Sequence, residues 1–452
     1  MLSHGLVTRL HREPTVPAYP AGNLTDENMH HDYALIGWNM AGGLRTVTSV
    51  WGNIRPVGAA AGSLDGRGLR IIGDVPDRTE HFGGPPVQHQ EVQKLLPLYV
   101  LCSRFEVCRP VTHQTSHIDT HHQTMGRQAP QINPKPHVPA AGVWCPAITF
   151  FDHESDSLDL KAQSQYFSYL STTGLAGLVI LGTNSEAFLL TREERFQLIS
   201  TARAAVGPDF PLMAGVGAHS TKQSLEFAQD AAAAGADYVL VLPPAYFGKA
   251  TSMDVVKRFF ASFAAKSPLP VVIYNFPGVT NGVDLDSETM TAIVRESAST
   301  SGTSNVVGVK LTCASVGKIT RLAATFDPSE FAIFGGQSDF LIGGLAAGSA
   351  GCIAAFANVF PKSTAKIYEL YRAGQFEKAT KLQQQAALAE SPCKSGIAST
   401  KYAVTCYSAA AAGIEGAEAK LAPRHPYGAV GEGVKNNVVS VMTAMAEIEN
   451  GL

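Results

Sequence analysis

The sequence predicts an α/β fold, a (β/α)8 TIM barrel with a C-terminal helical extension. Three observations carry this. From Val143 onward, eight short runs rich in Val, Ile and Leu recur about every 30 residues. These runs are continuously apolar rather than alternating, which suits parallel strands buried on both faces. Amphipathic helical stretches fill the gaps between them, giving eight βα units in sequence. An open doubly wound sheet is the alternative, and the even spacing of eight units favours the barrel.

The runs are Val143–Phe150, Gly177–Thr183, Leu212–Gly217, Tyr238–Pro244, Val271–Pro277, Val306–Leu311, Phe331–Gly336 and Gly351–Phe356. Helices are expected over Thr191–Val206, Ser220–Ala234 and Ser252–Lys266. Thr191 with Glu194 reads as a capping box. After the eighth unit, Gln375–Glu390, Gly396–Ala412 and Lys435–Glu449 read as further helices. The expected division is a catalytic barrel over 139–372 and C-terminal helices over 373–452.

Residues 1–138 have another character. They hold eleven of the chain's 14 histidines, and 12 basic residues against 11 acidic, a charge of +1. The remainder carries 23 basic and 27 acidic residues, a charge of -4. Runs such as Ala59-Ala60-Ala61-Gly62 and Gly83-Gly84-Pro85-Pro86 read as loop. Too few apolar segments recur to offset the ordering entropy, so a largely disordered N-terminal extension is expected. Met125 precedes a short polar leader and then the first strand, so residues 1–124 are a candidate non-native addition. His113, His117 and His121 fall at i, i+4 and i+8, the spacing of a metal-binding helix face. Chance in a histidine-rich stretch is the plainer account. Cys102 and Cys108 have the wrong spacing for a zinc knuckle. Met1 to Arg12 carries two arginines and no acid, a feature of mitochondrial presequences, but acids return at Glu13, Asp26 and Glu27. A cytoplasmic location is expected, with a mitochondrial one as the alternative.

The charge balance argues against phosphate-driven nucleic-acid binding; the whole chain has a formal charge of -3. No apolar run approaches the roughly 18 residues of a membrane span. Seven cysteines, an odd number in a long chain, suit a reducing compartment. The Asn23-Leu24-Thr25 sequon means little without a secretory signal.

Barrel chemistry sits at the C-terminal ends of the strands. The polar residues expected there are Thr183, Asn184, Ser185 and Glu186 after strand two, and Tyr246 after strand four. Tyr274 and Asn275 end strand five, Lys310 ends strand six, and Gln337, Ser338 and Asp339 follow strand seven. Lys310 lies in Val306-Val307-Gly308-Val309-Lys310-Leu311 with no acid in the run. Desolvation there disfavours the ammonium and makes free amine available. Such an amine is the usual nucleophile for a ketone carbon, giving a Schiff base. Period two puts Val306, Gly308 and Lys310 on one face, with Gly308 leaving space. A lysine snorkelling into water is the plain alternative. No metal site is expected; His153, His219 and His425 are isolated and read as structural.

Residues from about 140 to 445 resemble the dihydrodipicolinate synthase / N-acetylneuraminate lyase superfamily of class I aldolases. The Gly182-Thr183-Asn184-Ser185-Glu186, Tyr274-Asn275-Phe276-Pro277 and Val307-Gly308-Val309-Lys310 segments carry the likeness in order and spacing. Phe334–Phe340 and Gly351–Val359 add to it. Within the superfamily, the fungal L-threo-3-deoxy-hexulosonate aldolases of D-galacturonate catabolism are the nearest match, and the segment Ala389–Gly396 is similar to theirs. The resemblance implies that Lys310 forms the imine and that Tyr274 is the acid/base. It implies that Thr183 and Tyr246 complete a proton relay, with Tyr246 reaching in from a neighbouring subunit of a homotetramer. It implies that Thr183 and Asn184 hold the pyruvyl carboxylate, and that Gln337, Ser338, Asp339 and Ile353 meet the rest of the substrate. A helix N-cap is the alternative for Asn184 or Ser185, and for Gln337 to Asp339.

No cofactor is implied beyond the covalent imine. The implied reaction cleaves a 2-keto-3-deoxy-hexonate to pyruvate and L-glyceraldehyde. Two departures bear on substrate. Dihydrodipicolinate synthases carry an arginine where this chain has Val279, which argues against lysine biosynthesis. Asn184 resembles the 4-hydroxy-2-oxoglutarate aldolases, which release pyruvate and glyoxylate, so that activity is the rival. Asp339 would repel a second carboxylate, which favours the hexonate. A non-catalytic ligand-binding barrel is a further alternative, since a fold does not fix function.

Overall fold

The computed structural model describes residues 137–298 and 304–452. The expected disordered extension up to residue 136, the His113/His117/His121 trio, the presequence and the Met125 start lie outside the described residues, while Val138, assigned to that extension, packs against the barrel interior. Eight strands form a closed all-parallel barrel. They are β1 (Gly142–Pro146), β2 (Gly177–Ile180), β3 (Leu212–Gly215), β4 (Tyr238–Val241), β5 (Val271–Asn275), β6 (Val306–Leu311), β7 (Ala332–Gly335) and β8 (Gly351–Ile353). Each overlaps one predicted apolar run. Around the barrel the order is β1-β8-β7-β6-β5-β4-β3-β2, and the ring closes where Gly142 pairs with Gly351.

Every residue of the eight strands is buried, which is why the runs are apolar throughout. Side chains divide into two layers. Trp144, Val179, Met213, Leu240, Val272, Phe334 and Ile353 fill the barrel interior. Val143, Leu178, Val239, Val271, Val309 and their neighbours face the helices.

Helices α1 (Leu160–Ser171), α2 (Arg192–Val206), α3 (Thr221–Ala233), α4 (Met253–Ala264), α5 (Ser287–Ala298), α6 (Val316–Ala323), α7 (Leu341–Ala346) and α8 (Pro361–Arg372) surround it. Their starts are encoded locally. Thr191 and Glu194 form the capping box of α2, and Ser220 and Ser252 cap α3 and α4 with their hydroxyls. Beyond the barrel come α9 (Phe376–Glu390), α10 (Ile397–Tyr407), α11 (Ala417–Lys420) and α12 (Glu432–Asn450). The helix expected to run to Ala412 stops at Tyr407. Alanines favour continuation, but the buried Ser408 donates its hydroxyl to Asn358 O at 2.8 Å. The chain then turns, with Gly413 at φ +72°. Tertiary bonding here overrides helix propensity.

Strand β6 departs from simple period two. Its register against β5 shifts by one residue between Val271 and Val272, so Val307 is the extra residue of a bulge. Val306 therefore faces the helices with Val309, while Val307 packs inside the barrel. Gly308 answers the close approach of β7: a Cβ there would lie 2.5 Å from Ala332 O. Its role is strand packing, not room beside Lys310.

The C-terminal segment is tied to the barrel by a fully buried ion pair. Lys401 Nζ on α10 lies 2.6 Å from Glu186 Oε1, just beyond β2. Glu186 also accepts from Arg424 N at 2.8 Å, and Lys401 donates to Ala422 O at 3.1 Å. Burial pulls the Lys401 ammonium down from its ordinary value, and Glu186 pulls it back up. With every partner in place the pair is tolerated; losing one would leave a bare buried charge.

Candidate active site

Strands β5 and β6 set two groups side by side. Tyr274 and Lys310 are register partners. Lys310 is only 3% exposed, and its Nζ stands 4.3 Å from the centre of the Tyr274 ring. The Tyr274 hydroxyl in turn lies 3.3 Å from Thr183 Oγ1, beyond β2. These three residues, with Asn184 and Gln337, line a cavity of about 470 Å3. It opens at the C-terminal ends of the strands.

The loop after β2 holds its shape through neighbours that do not face the cavity. Ser185 donates to Ala147 O at 2.6 Å, and Thr149 donates to Ser185 O at 2.7 Å. Glu186, at φ +56°, is fixed by Lys401 and Arg424. Thr183 to Ser185 form one 3-10 turn without a side-chain cap, so Asn184 and Ser185 are not helix caps. The Asn of the Tyr-Asn-x-Pro segment is also structural. Asn275 Nδ2 donates to Asp284 at 2.7 Å, and its Oδ1 accepts from Leu285 N at 3.0 Å. This pins the loop after β5.

The structure does not bring every expected residue to the cavity. Tyr246 is 71% exposed and stands with His219 and Phe247, outside the cavity of this chain. Ser338 is fully buried and turned away: its hydroxyl donates to Glu390 Oε2 at 2.6 Å and its N–H to Oε1 at 3.2 Å. Its carbonyl accepts from Gln383 at 2.7 Å. Asp339 pairs with Lys394 and is not a cavity wall. Neither Gln337, Ser338 nor Asp339 caps α7; Phe340 stands at the N-cap and makes no side-chain cap. Ile353 is fully buried in the barrel interior.

Their place in the wall is taken by residues that strand-end reasoning did not reach. Glu390, Cys393 and Lys394 come from the end of α9 and the turn after it, and Ile397 from the start of α10. The signal for most of them lies in Ala389–Gly396, which carries the charged residues Glu390 and Lys394. Burial pushes the Glu390 carboxyl up to about 7, partly opposed by the Ser338 hydroxyl. Burial likewise pushes the Cys393 thiol up to about 12, so it stays protonated and is no nucleophile. Val279 borders the cavity, 43% exposed, and supplies no charge.

Among the described residues, no group of three or more His, Cys, Asp and Glu side chains is placed to hold a metal. No helix among them is long and apolar enough to cross a membrane. An enclosed lysine beside a tyrosine, at the strand ends of a parallel barrel, can attack a carbonyl and move protons at the resulting imine. That is the chemistry of a lysine-dependent lyase.

Comparison with known proteins gives the family. Residues 139–445 match the sequence profile described as the Dihydrodipicolinate synthetase family, and the chain belongs to it. It is an aldolase of that family, a carbon–carbon lyase of class I. A Coccidioides immitis protein named as a mitochondrial 4-hydroxy-2-oxoglutarate aldolase is 67% identical over 317 residues, 70% of this chain and 99% of that one. A Hypocrea jecorina protein named L-threo-3-deoxy-hexylosonate aldolase is 36% identical over 59% of this chain and 86% of that one. The crystal structure of a dihydrodipicolinate synthase family protein from Coccidioides immitis superposes with a TM-score of 0.66 at 63% identity. It covers 70% of this chain and 99% of that one.

Proposed function

We propose that this chain cleaves 4-hydroxy-2-oxoglutarate to pyruvate and glyoxylate through an imine on Lys310. The observation that carries the chemistry is Lys310 Nζ held over Tyr274, with Thr183 at the tyrosine hydroxyl. The substrate order reverses the sequence expectation. The 67% identical relative bears the oxoglutarate name, and the hexulosonate name occurs at 36%. The argument against a second carboxylate also lapses. Asp339 is neutralised by Lys394, and Ser338 spends its hydroxyl on Glu390. Of the three residues suited to sugar hydroxyls, only Gln337 lines the cavity. This weakens the hexonate reading.

In the proposed reaction, Lys310 attacks the C2 ketone and water leaves. The protonated imine draws electrons from the C3–C4 bond. Tyr274 takes the proton of the C4 hydroxyl as its own hydroxyl proton passes to Thr183, 3.3 Å away. The bond breaks, glyoxylate departs, and Tyr274 gives the proton it took to C3 of the enamine. Water then hydrolyses the imine and frees pyruvate. Backbone N–H groups around Thr183 and Asn184 hold the pyruvyl carboxylate. No metal enters.

Tyr246 joins the relay only from a second copy, since it lies outside this chain's own cavity; a homotetramer supplies one. The mitochondrial location in the relative's name replaces the cytoplasmic expectation, which finds no support in the relatives. As a proposal, the chain divides into an extension ending just before Val138, a barrel to about residue 372 and helices over 373–452, the last part lending Glu390 and Lys394 to the cavity. The test is turnover of 4-hydroxy-2-oxoglutarate against 2-keto-3-deoxy-L-galactonate by purified enzyme. A higher kcat/KM for the former is expected, and the reverse order overturns the substrate assignment.

A further inference from the structure

We propose that Lys394, held by Asp339 on the C-terminal wall of the cavity, pairs with the substrate's second carboxylate and so selects a dicarboxylic keto acid. This rests on the imine at Lys310 and on the substrate class proposed above. Among the described residues, two lysines line the cavity, Lys310 and Lys394. The first becomes the imine and is committed to C2. A dicarboxylate then leaves one anionic group to be paired, because the pyruvyl carboxylate is met by the loop after β2. The position that could have carried a guanidinium holds Val279, and the nearby wall is Phe276, Ile397 and Cys393. A carboxylate left against such a wall would be buried without a partner, which is costly.

Lys394 is suited to the task. Its side chain is 44% exposed, against 0% for Lys401, so it can move. An ion pair at that exposure is worth little, and shifting it toward a ligand costs little. An ammonium has three donors and can keep Asp339 while it binds a second carboxylate. Asp339 Oδ1 is buried and has no hydrogen-bond partner among the described residues, so that carboxylate depends on Lys394 and keeps it close. Glu390 shares the wall, and its carboxyl, pushed up to about 7 by burial, does not cancel the ammonium below that pH. A hydroxylated aldehyde brings no charge to pair with this cation; glyoxylate does.

The test compares wild type, Lys394→Met and Lys394→Arg. KM and kcat are measured for 4-hydroxy-2-oxoglutarate and for 2-keto-3-deoxy-L-galactonate, and pyruvate is trapped on Lys310 with borohydride. In Lys394→Met, KM for the dicarboxylate is expected to rise roughly ten- to a hundredfold, as for loss of a charged hydrogen bond. KM for the hexonate and the trapped adduct stay unchanged, and Lys394→Arg keeps most of the preference. Equal losses on both substrates overturn the proposal, as does an unchanged KM for the dicarboxylate. Should Lys394→Met lose the adduct, Lys394→Arg decides: a retained preference supports the pairing, and a lost one overturns it. Preference for the hexonate by wild type overturns the substrate assignment itself, and is read without any variant.

Discussion

Replacing Glu390 with Gln tests how the C-terminal segment is built into the cavity wall. An ordinary glutamate ionises at 4.5, and burial pushes this one up to about 7. At about 1.36 kcal/mol per pKa unit, that difference is worth on the order of 3 kcal/mol. The folded state prefers the protonated acid. Its contribution is therefore fully present below about pH 4.5 and is lost as pH rises through about 7. Glutamine cannot ionise and so abolishes this dependence. It retains one oxygen for the Ser338 hydroxyl but gives up the second acceptor, which costs about 1 kcal/mol at low pH. The assay is urea unfolding of wild type and Glu390→Gln at several pH values between about 4.5 and about 8. The variant is expected to be the less stable at the acid end and the more stable above neutrality. Parallel curves without a crossing would refute the reasoning, because they would mean that Glu390 is solvated or paired in another way.

Further outcomes follow from the same geometry. Tyr274→Phe should lower kcat by roughly 10²- to 10⁴-fold, the usual worth of a general acid/base, while pyruvate still forms its adduct; a near-normal kcat removes Tyr274 from the proton path. Lys401→Met leaves the Glu186 carboxylate buried and unpaired and should cost about 3–5 kcal/mol in urea unfolding. Adding Glu186→Gln should recover part of that loss, and equal stability of single and double variants contradicts the pairing. EDTA should leave turnover unchanged; a loss restored by a divalent metal speaks against the lysine mechanism.

The sequence was most informative where one local rule governs. Continuous Val/Ile/Leu runs mark strands buried on both faces, and all eight barrel strands fall on them. The capping box at Thr191 marks a helix start because side-chain and backbone chemistry meet there within three residues. Lys310 stood out because a charge inside an apolar run is expensive. The bulge at Val307 was hidden, since period two describes only a regular strand. Ser338 and Asp339 looked available because their partners, Glu390 and Lys394, lie more than 50 residues onward. Only packing of α9 against the barrel brings them together. For the same reason the Glu186–Lys401 pair, separated by 215 residues, could not be read from either partner alone.

The central claim is that Lys310 is the nucleophile. The direct measurement is borohydride reduction in the presence of pyruvate, followed by peptide mass mapping. The account predicts one pyruvate-derived adduct, on Lys310, and none in Lys310→Ala. An adduct on another lysine, or none on the wild type, contradicts it.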